Sequence, residues 1–390
     1  MRRTSPRVMR QDGTARRSWR QLARALGVTR IARITSLDRT GIEVACAVRP
    51  GGHVLQVTQG KGLAFREAAA GALMEAAELA CAERVDASEL AWASERELCT
   101  RGVSHLGSAD LGGEGSGEAR LAWREARDLS SAEPVLVPAA ALHVPAQGAP
   151  ALGLAGVRWT SNGMGAHPSW PSALLHALLE AVERDQVARA LPEGWTEDEI
   201  ARRIVARAPR GGKPVCSLAE RVERGGFDVH LFDLAPEEGV GLPVAGALLF
   251  DRQHGPVPLT AGYACRLRRA SALEAALLEA AQSRLTDIHG AREDVASADA
   301  RGVDRLRRAC DRARRHAALP DRRKAPPGEE VPGSIDLASS GSASQCVRAV
   351  LARLARTGHA RAVATDLAPA GLGVHVAKVL VPGLLLSSLL

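Results

Sequence analysis

SNGMGAHPSWPSALLHALLEAVERDQVARA, residues 161–190, is the stretch on which the reading of the whole chain turns. Its Leu and Ala residues recur at the three- and four-residue spacing of a helix with a buried face. Glu180 and Glu183 stand three apart on that apolar pattern, followed at once by Arg184 and Asp185. Side chains at that spacing project from one side of a helix, where two carboxylates repel each other and lose hydration.

The same oddity occurs twice more. ALMEAAEL carries Glu75 and Glu78, and ALLEAAQSR carries Glu279 with Gln282 and Arg284. Two readings stay open at this point. The acids can lie on solvent-facing edges of amphipathic helices. Alternatively, three converging helices hold Mg²⁺ through carboxylate oxygens, with arginine forks on the phosphates of a nucleotide. Each helix is preceded by a glycine-containing segment, GKG at 60–62, SNGMG at 161–165 and TAGYA at 260–264, expected here as loops whose amides could approach phosphate.

Composition narrows the classes. With 390 residues, 46% hydrophobic and 24% charged, the chain can bury one large core or two smaller ones. One Tyr, four Phe and six Trp leave little surface for stacking on bases, so a single-strand nucleic-acid platform is excluded as a leading reading. The net charge of +7 comes almost wholly from arginine and favours an anionic ligand only weakly. Seven cysteines without a C-x-x-C pair suggest neither a zinc knuckle nor a disulfide framework, and point to reduced thiols in a cytoplasmic protein. The basic start lacks the apolar core of a secretory signal, and VLVPGLLLSSLL is too short and interrupted to span a membrane.

Along the chain, residues 1–29 read as a basic extension and 30–390 as one α/β or α+β domain with mixed sheets. Ile42, Val44, Cys46 and Val48 alternate as a half-buried strand should, and HVLQVTQ after Gly51-Gly52 completes a hairpin. A helix follows with Leu63, Ala70, Leu73, Met74, Ala77 and Cys81 on one side. Residues 108–118 read as a loop, and the helix and strand spacing of 211–236 as an α/β unit. The Arg-rich segment 302–324, running into a Pro-rich stretch, reads as a solvated helix face and lid in preference to a phosphate or acidic-peptide contact.

Five blocks in order, LDRTGIEVACAVRP, QGKGLAFREAAAGALMEAAE, SNGMGAHPSWPSALLHALLEAVERD, EAAQSRLTDIHGARED and VATDL with VLVPGL, resemble the landmarks of the YcaO family from about residue 30 to 385. The resemblance implies a large α/β domain binding ATP and Mg²⁺ that activates a backbone amide of a ribosomally made peptide. There the amide oxygen takes the γ-phosphoryl group after a nucleophile adds to the amide carbon, leaving an azoline or a thioamide. It implies Glu75, Glu78, Glu180, Glu183 and Glu279 around the metal, and Arg184, Gln282 and Arg284 on the nucleotide, with Asp185 orienting Arg184 or capping a turn. Such chemistry depends on positioning and charge neutralisation, so no protein nucleophile is required.

Gly71 stands where the family usually has Ser, His167-Pro168-Ser169 where it has Gly-Asn-Thr, and Ser172 where an acid is frequent. These departures keep open a catalytically silent scaffold or peptide-binding subunit. The V-P-G-L ending resembles the branch associated with TfuA partner proteins and thioamides, although that branch usually continues with Glu where Leu385 stands here. The implied partners are a precursor peptide and a TfuA-like or leader-binding protein, with a homodimer compatible and neither nucleic acid nor membrane expected.

Overall fold

The computed structural model describes residues 19–114, 117–145, 151–153, 156–157, 159–205, 212–235, 239–290, 300–317 and 341–386. The start of the basic extension and the Pro-rich stretch after residue 317 lie outside the described residues. A helix over residues 19–25 (α1) comes first. Leu22, Leu26 and Val28, in the last part of the basic and partly helical extension, are buried.

β1 (Arg30–Arg33), β2 (Glu43–Val48) and β3 (Val57–Gly62) form an antiparallel meander, and the expected hairpin is the β2–β3 pair. Gly52 is required in its turn, because a Cβ there would sit 2.3 Å from the Leu55 carbonyl oxygen. After α2 (Phe65–Glu83) come β4 (Leu90–Ala93), α3 (Glu95–Thr100), β5 (Leu121–Asp128), β6 (Pro134–Pro138), the short α4 (Ala139–Leu142), β7 (Met164–His167) and α5 (Trp170–Ala190). Then follow α6 (Glu197–Arg203), α7 (Gly212–Arg224), β8 (Phe227–Asp233), β9 (Val244–Asp251), β10 (Leu259–Cys265) and α8 (Arg269–His289). The last elements are α9 (Ala300–Ala317), α10 (Ala343–Arg356), β11 (Val363–Asp366) and β12 (His375–Leu380).

Among the described residues the strands make three sheets: β1-β2-β3, β10-β9-β8, and β4-β5-β11-β12-β7 with β6 also on β5. Every ladder between these strands is antiparallel, so the α+β form of the expectation holds and the α7–β8 unit is not a parallel crossover. The Arg-rich α9 is amphipathic in place. Val303, Ala309, Cys310 and Ala313 are buried while Arg307 pairs with Asp228 and Arg312 with Glu197, which favours the solvated-face reading. Among the described residues no helix is long and apolar enough to cross a membrane.

Three glycines correct the loop expectation. Gly60, Gly165 and Gly262 lie inside β3, β7 and β10, and each strand lies across the helix that follows it. A Cβ on Gly60 would stand 2.2 Å from both the Ala68 oxygen and the Ala72 nitrogen. On Gly165 it would stand 2.4 Å from the Ala173 oxygen, and on Gly262 2.1 Å from the Ala280 nitrogen. The obstacle is helix backbone each time, so these glycines let strand and helix touch. Leu63, expected on the buried side of α2, is instead exposed; the helix starts only at Phe65 and buries Ala68, Ala72, Leu73, Ala76 and Ala77.

The three strand–helix units close a ring. α2 packs on β3 and also reaches β7; α5 packs on β7 and reaches β10; α8 packs on β10 and reaches β3. Measured from the crossing alanines Ala72, Ala177 and Ala280, the sixth residue onward is Glu78, Glu183 and Thr286. Each of these bonds to the next unit in the ring. The Ala166 N–H donates to Glu78 Oε1 at 2.7 Å, the Cys265 N–H to Glu183 Oε2 at 2.9 Å, and Thr286 Oγ1 to Gln59 Oε1 at 2.9 Å.

Candidate active site

One pocket of about 370 Å³ lies at the centre of that ring. Glu75 and Glu78 reach it from α2, Glu180, Glu183 and Arg184 from α5, and Glu279 and Gln282 from α8. The acids thus do not lie on outer edges of their helices. Lys61 from β3 and Arg266, just after β10, also line it, leaving two more carboxylates than cations.

Strand amides and cations hold these acids. The Gln59 N–H donates to Glu75 Oε2 at 2.8 Å, a role repeated for Glu78 and Glu183 by Ala166 and Cys265. Lys61 pairs with Glu279, and Arg184 approaches Glu180 at 3.5 Å and Glu183 at 3.9 Å. Behind them Lys378 is 1% exposed, with Nζ donating to the carbonyls of Thr160 and Asn162 at 2.6 and 2.5 Å.

Crowding shows in the acid–base behaviour. Burial, with Glu183 adding to it against the pull of Arg184, pushes Glu180 up to about 7. Burial and then Glu180 and Glu75 hold Glu78 well above the carboxylate range, and burial raises Glu183 as well. Burial, and then Arg266, brings Lys61 down to about 8; burial alone brings Lys378 down to about 8 against the pull of Glu180 and Glu78. Among the described residues no three carboxylate, imidazole or thiol groups enclose an ion as they stand. The donors are nonetheless hard oxygens in negative excess, held proton-prone by burial and, at Glu78 and Glu180, by neighbouring carboxylates. That is the chemistry a Mg²⁺ ion accepts and relieves.

Arg284 does not join this site. Its guanidinium is buried beneath Phe227, bonded to Asp38 at 3.0 Å, to Asp251 at 2.9 Å and to the Val257 carbonyl. Two residues beyond Gln282 the helix has turned away, and the nucleotide contact expected of Arg284 gives way to a structural one. Asp185 also faces away from Arg184. It is fully buried and accepts from Gln186, Arg189 and the Leu385 N–H, tying the C-terminal V-P-G-L segment to α5.

Lys61, Arg266 and His176 line the pocket but were not selected from the sequence. For His176 a signal existed, since it lies four residues before Glu180 on the same helical face.

The family model described as YcaO cyclodehydratase, ATP- and Mg²⁺-binding, matches residues 59–385. The chain belongs to the YcaO family. Its cofactors are those of the family, ATP and Mg²⁺. An uncharacterized protein of Methanothermobacter thermautotrophicus is 34% identical over 300 residues, covering 73% of each chain. An uncharacterized protein in the tfuA 3′ region of Rhizobium leguminosarum bv. trifolii is 29% identical over 291 residues, covering 72% of this chain and 67% of its own. The fold matches YcaO of Methanopyrus kandleri, solved with AMPPCP and Mg²⁺, at a TM-score of 0.69 and 23% identity over 96% of this chain and 90% of that one.

Gly71 lines the pocket at the α2–β3 crossing, where a Cβ would come 3.3 Å from the Gly60 Cα. His167, the last residue of β7, and Pro168 and Ser169, which lead into α5, are exposed. There the Ser169 N–H donates to His167 Nδ1 at 3.0 Å and Ser169 Oγ to Ser172 Oγ at 2.9 Å. Neither Pro168 nor Ser172 lines the carboxylate pocket.

Proposed function

We propose that this YcaO protein activates a backbone amide of a ribosomally synthesised peptide at the expense of ATP, and that its product is a thioamide. The observation that carries the proposal is the ring of three strand–helix units delivering five carboxylates, Lys61, Arg184 and Arg266 to one pocket. Glu75, Glu78, Glu180, Glu183 and Glu279 would hold Mg²⁺, and Arg184 and Gln282 would contact the nucleotide. When bound, ATP supplies the phosphoryl group that turns the amide oxygen into a leaving group, with Mg²⁺ offsetting its charge.

The chain's own part is placement. The strand amides of Gln59, Ala166 and Cys265 fix Glu75, Glu78 and Glu183 before any ligand arrives, so little reorganisation remains for the reaction. Arg184 can present a planar fork to phosphate without leaving its helix. Lys61 and Arg266 add positive charge to the same pocket lining.

Two observations favour thioamide over azoline: the V-P-G-L segment anchored on Asp185, and the relative named for its place beside tfuA. On this reading a TfuA-like protein is the partner. A catalytically silent scaffold is less well supported, because the departures at Pro168 and Ser172 leave the carboxylate set intact. The test incubates the chain with ATP, Mg²⁺, sodium sulfide and the precursor peptide encoded near its gene. Exchange of oxygen for sulfur in the peptide supports thioamidation, loss of water supports azoline formation, and an unchanged peptide mass contradicts the proposal.

A further inference from the structure

We propose that His176 is a catalytic base, taking the proton of the nucleophile as that nucleophile adds to the peptide amide carbon. The inference rests on the amide-activation reading above. His176 immediately precedes the crossing residue Ala177, as Glu279 immediately precedes Ala280 in the next unit of the ring. The shared register turns both into the pocket, and both line it. The His176 side chain is exposed there, whereas its helix neighbours Ala173, Ala177 and Leu178 are buried.

Elimination singles it out. Glu75, Glu78 and Glu183 accept strand amides, Glu279 is paired with Lys61, and Glu180 faces Arg184. Lys61, Arg184 and Arg266 are cations. The Tyr263 hydroxyl accepts from Trp195 Nε1 at 2.9 Å, and burial pushes it up to about 12. Among the described residues no group hydrogen-bonds the His176 ring. It is the neutral base in the pocket with a lone pair to give.

The surroundings make that basicity depend on ligand. Lys61 faces the ring from β3, Arg266 from the end of β10, Glu75 from α2, Glu279 and Gln282 from α8, Glu180 from its own helix and His167 from β7. The protein atoms crowded around the pocket thin the hydration of this otherwise open ring, and Arg266, Lys61 and His167 add to that, bringing the imidazole down to about 4, so it is proton-free at neutral pH. An anionic ligand beside Lys61 and Arg266 offsets those charges and raises its basicity toward the range where proton transfer is efficient. In the step itself, the sulfur of a hydrosulfide or thiol, or a hydroxyl oxygen, forms a bond to the amide carbon. The carbonyl π pair moves onto the amide oxygen, and the nucleophile's proton passes to the free ring nitrogen of His176.

The experiment compares wild type, His176→Gln and His176→Ala on the peptide encoded beside the gene, with ATP, Mg²⁺ and sodium sulfide, and titrates each with AMPPCP·Mg²⁺. The expected result is a fall in kcat of about 10²- to 10⁴-fold in both variants. AMPPCP affinity should stay within about threefold, and added imidazole should restore turnover to His176→Ala but not to Glu183→Gln. A kcat within about threefold of wild type overturns the inference. So does a loss of AMPPCP affinity that accounts for the whole defect, because His176 would then be a nucleotide ligand. If the wild type hydrolyses ATP but modifies no peptide, the amide-activation reading fails and this inference falls with it.

Discussion

Replacing Gly262 by Ala tests whether the glycine strands exist to bring strand and helix into contact. The new methyl would stand 2.1 Å from the Ala280 nitrogen, 2.4 Å from the Ala276 oxygen and 2.8 Å from the Ala280 Cα. Ordinary contact begins at 3.4 Å, so α8 and β10 must part by roughly 1 Å along most of their shared face. All three obstacles are backbone, and no side chain can swing aside. Overpacking of this kind costs about 3 kcal/mol, the upper part of the usual range, and lowers Tm by roughly 4 °C in a chain of this size. The same displacement moves Glu279 and Gln282 with α8. Gly51→Ala is the control, since nothing lies within 4 Å of a Cβ there. Thermal melting of the two variants against wild type is the assay. A Gly262→Ala melt within about 1 °C of the control would refute the packing explanation and reopen a ligand role for the glycines.

Three further outcomes are expected. Because the folded state raises Glu180 to about 7, and raises Glu78 and Glu183 also, it binds more protons than the unfolded chain between about 4.5 and 7. Stability of the metal-free protein should therefore fall as pH rises through that window, and Mg²⁺·AMPPCP binding at pH 6.5 should release protons, seen as a buffer-dependent heat in calorimetry; a buffer-independent heat contradicts the crowding. Arg284→Met leaves buried Asp38 without its cation, while Asp251 keeps Arg39, and should destabilise by about 3 kcal/mol, with AMPPCP affinity per folded molecule unchanged. Arg184→Lys keeps the charge but loses the fork, so it should weaken AMPPCP binding by about 5- to 20-fold with little effect on the melt; the reverse pattern in these two variants would undo both assignments.

The sequence already carried the helices and their carboxylates, because an acid on an apolar helical face is visible in a period of 3.6 and these faces do meet. Helical spacing already set Arg284 about 200° round from Gln282, off the carboxylate face; what it could not show is that Asp38 and Asp251, far off in sequence, wait there to capture the guanidinium. Nor could it show that GKG and TAGYA are strands. Glycine signals a turn and a close backbone approach equally well, and the helix backbone that requires it lies beyond any local window. His176 was legible in principle from its spacing to Glu180, but the proposed use depends on Lys61 arriving from β3 and Arg266 from just after β10. Asp185 looked like a neighbour of Arg184 in function because it is one in sequence. Consecutive residues on a helix point about 100° apart, and the buried carboxylate serves the C-terminal segment instead.

The central claim is that five carboxylates on three helices form a Mg²⁺-dependent nucleotide site. Calorimetric titration of AMPPCP with and without Mg²⁺, on wild type and on Glu183→Gln, tests it most directly. The substituted side chain can still accept the Cys265 N–H through its amide oxygen, so the fold should survive while one anionic ligand is lost. The account predicts binding that requires Mg²⁺ in wild type and weakens at least about tenfold in Glu183→Gln at an unchanged melting temperature. Equal AMPPCP affinity with and without Mg²⁺, or wild-type Mg²⁺-dependent affinity in Glu183→Gln, would contradict it.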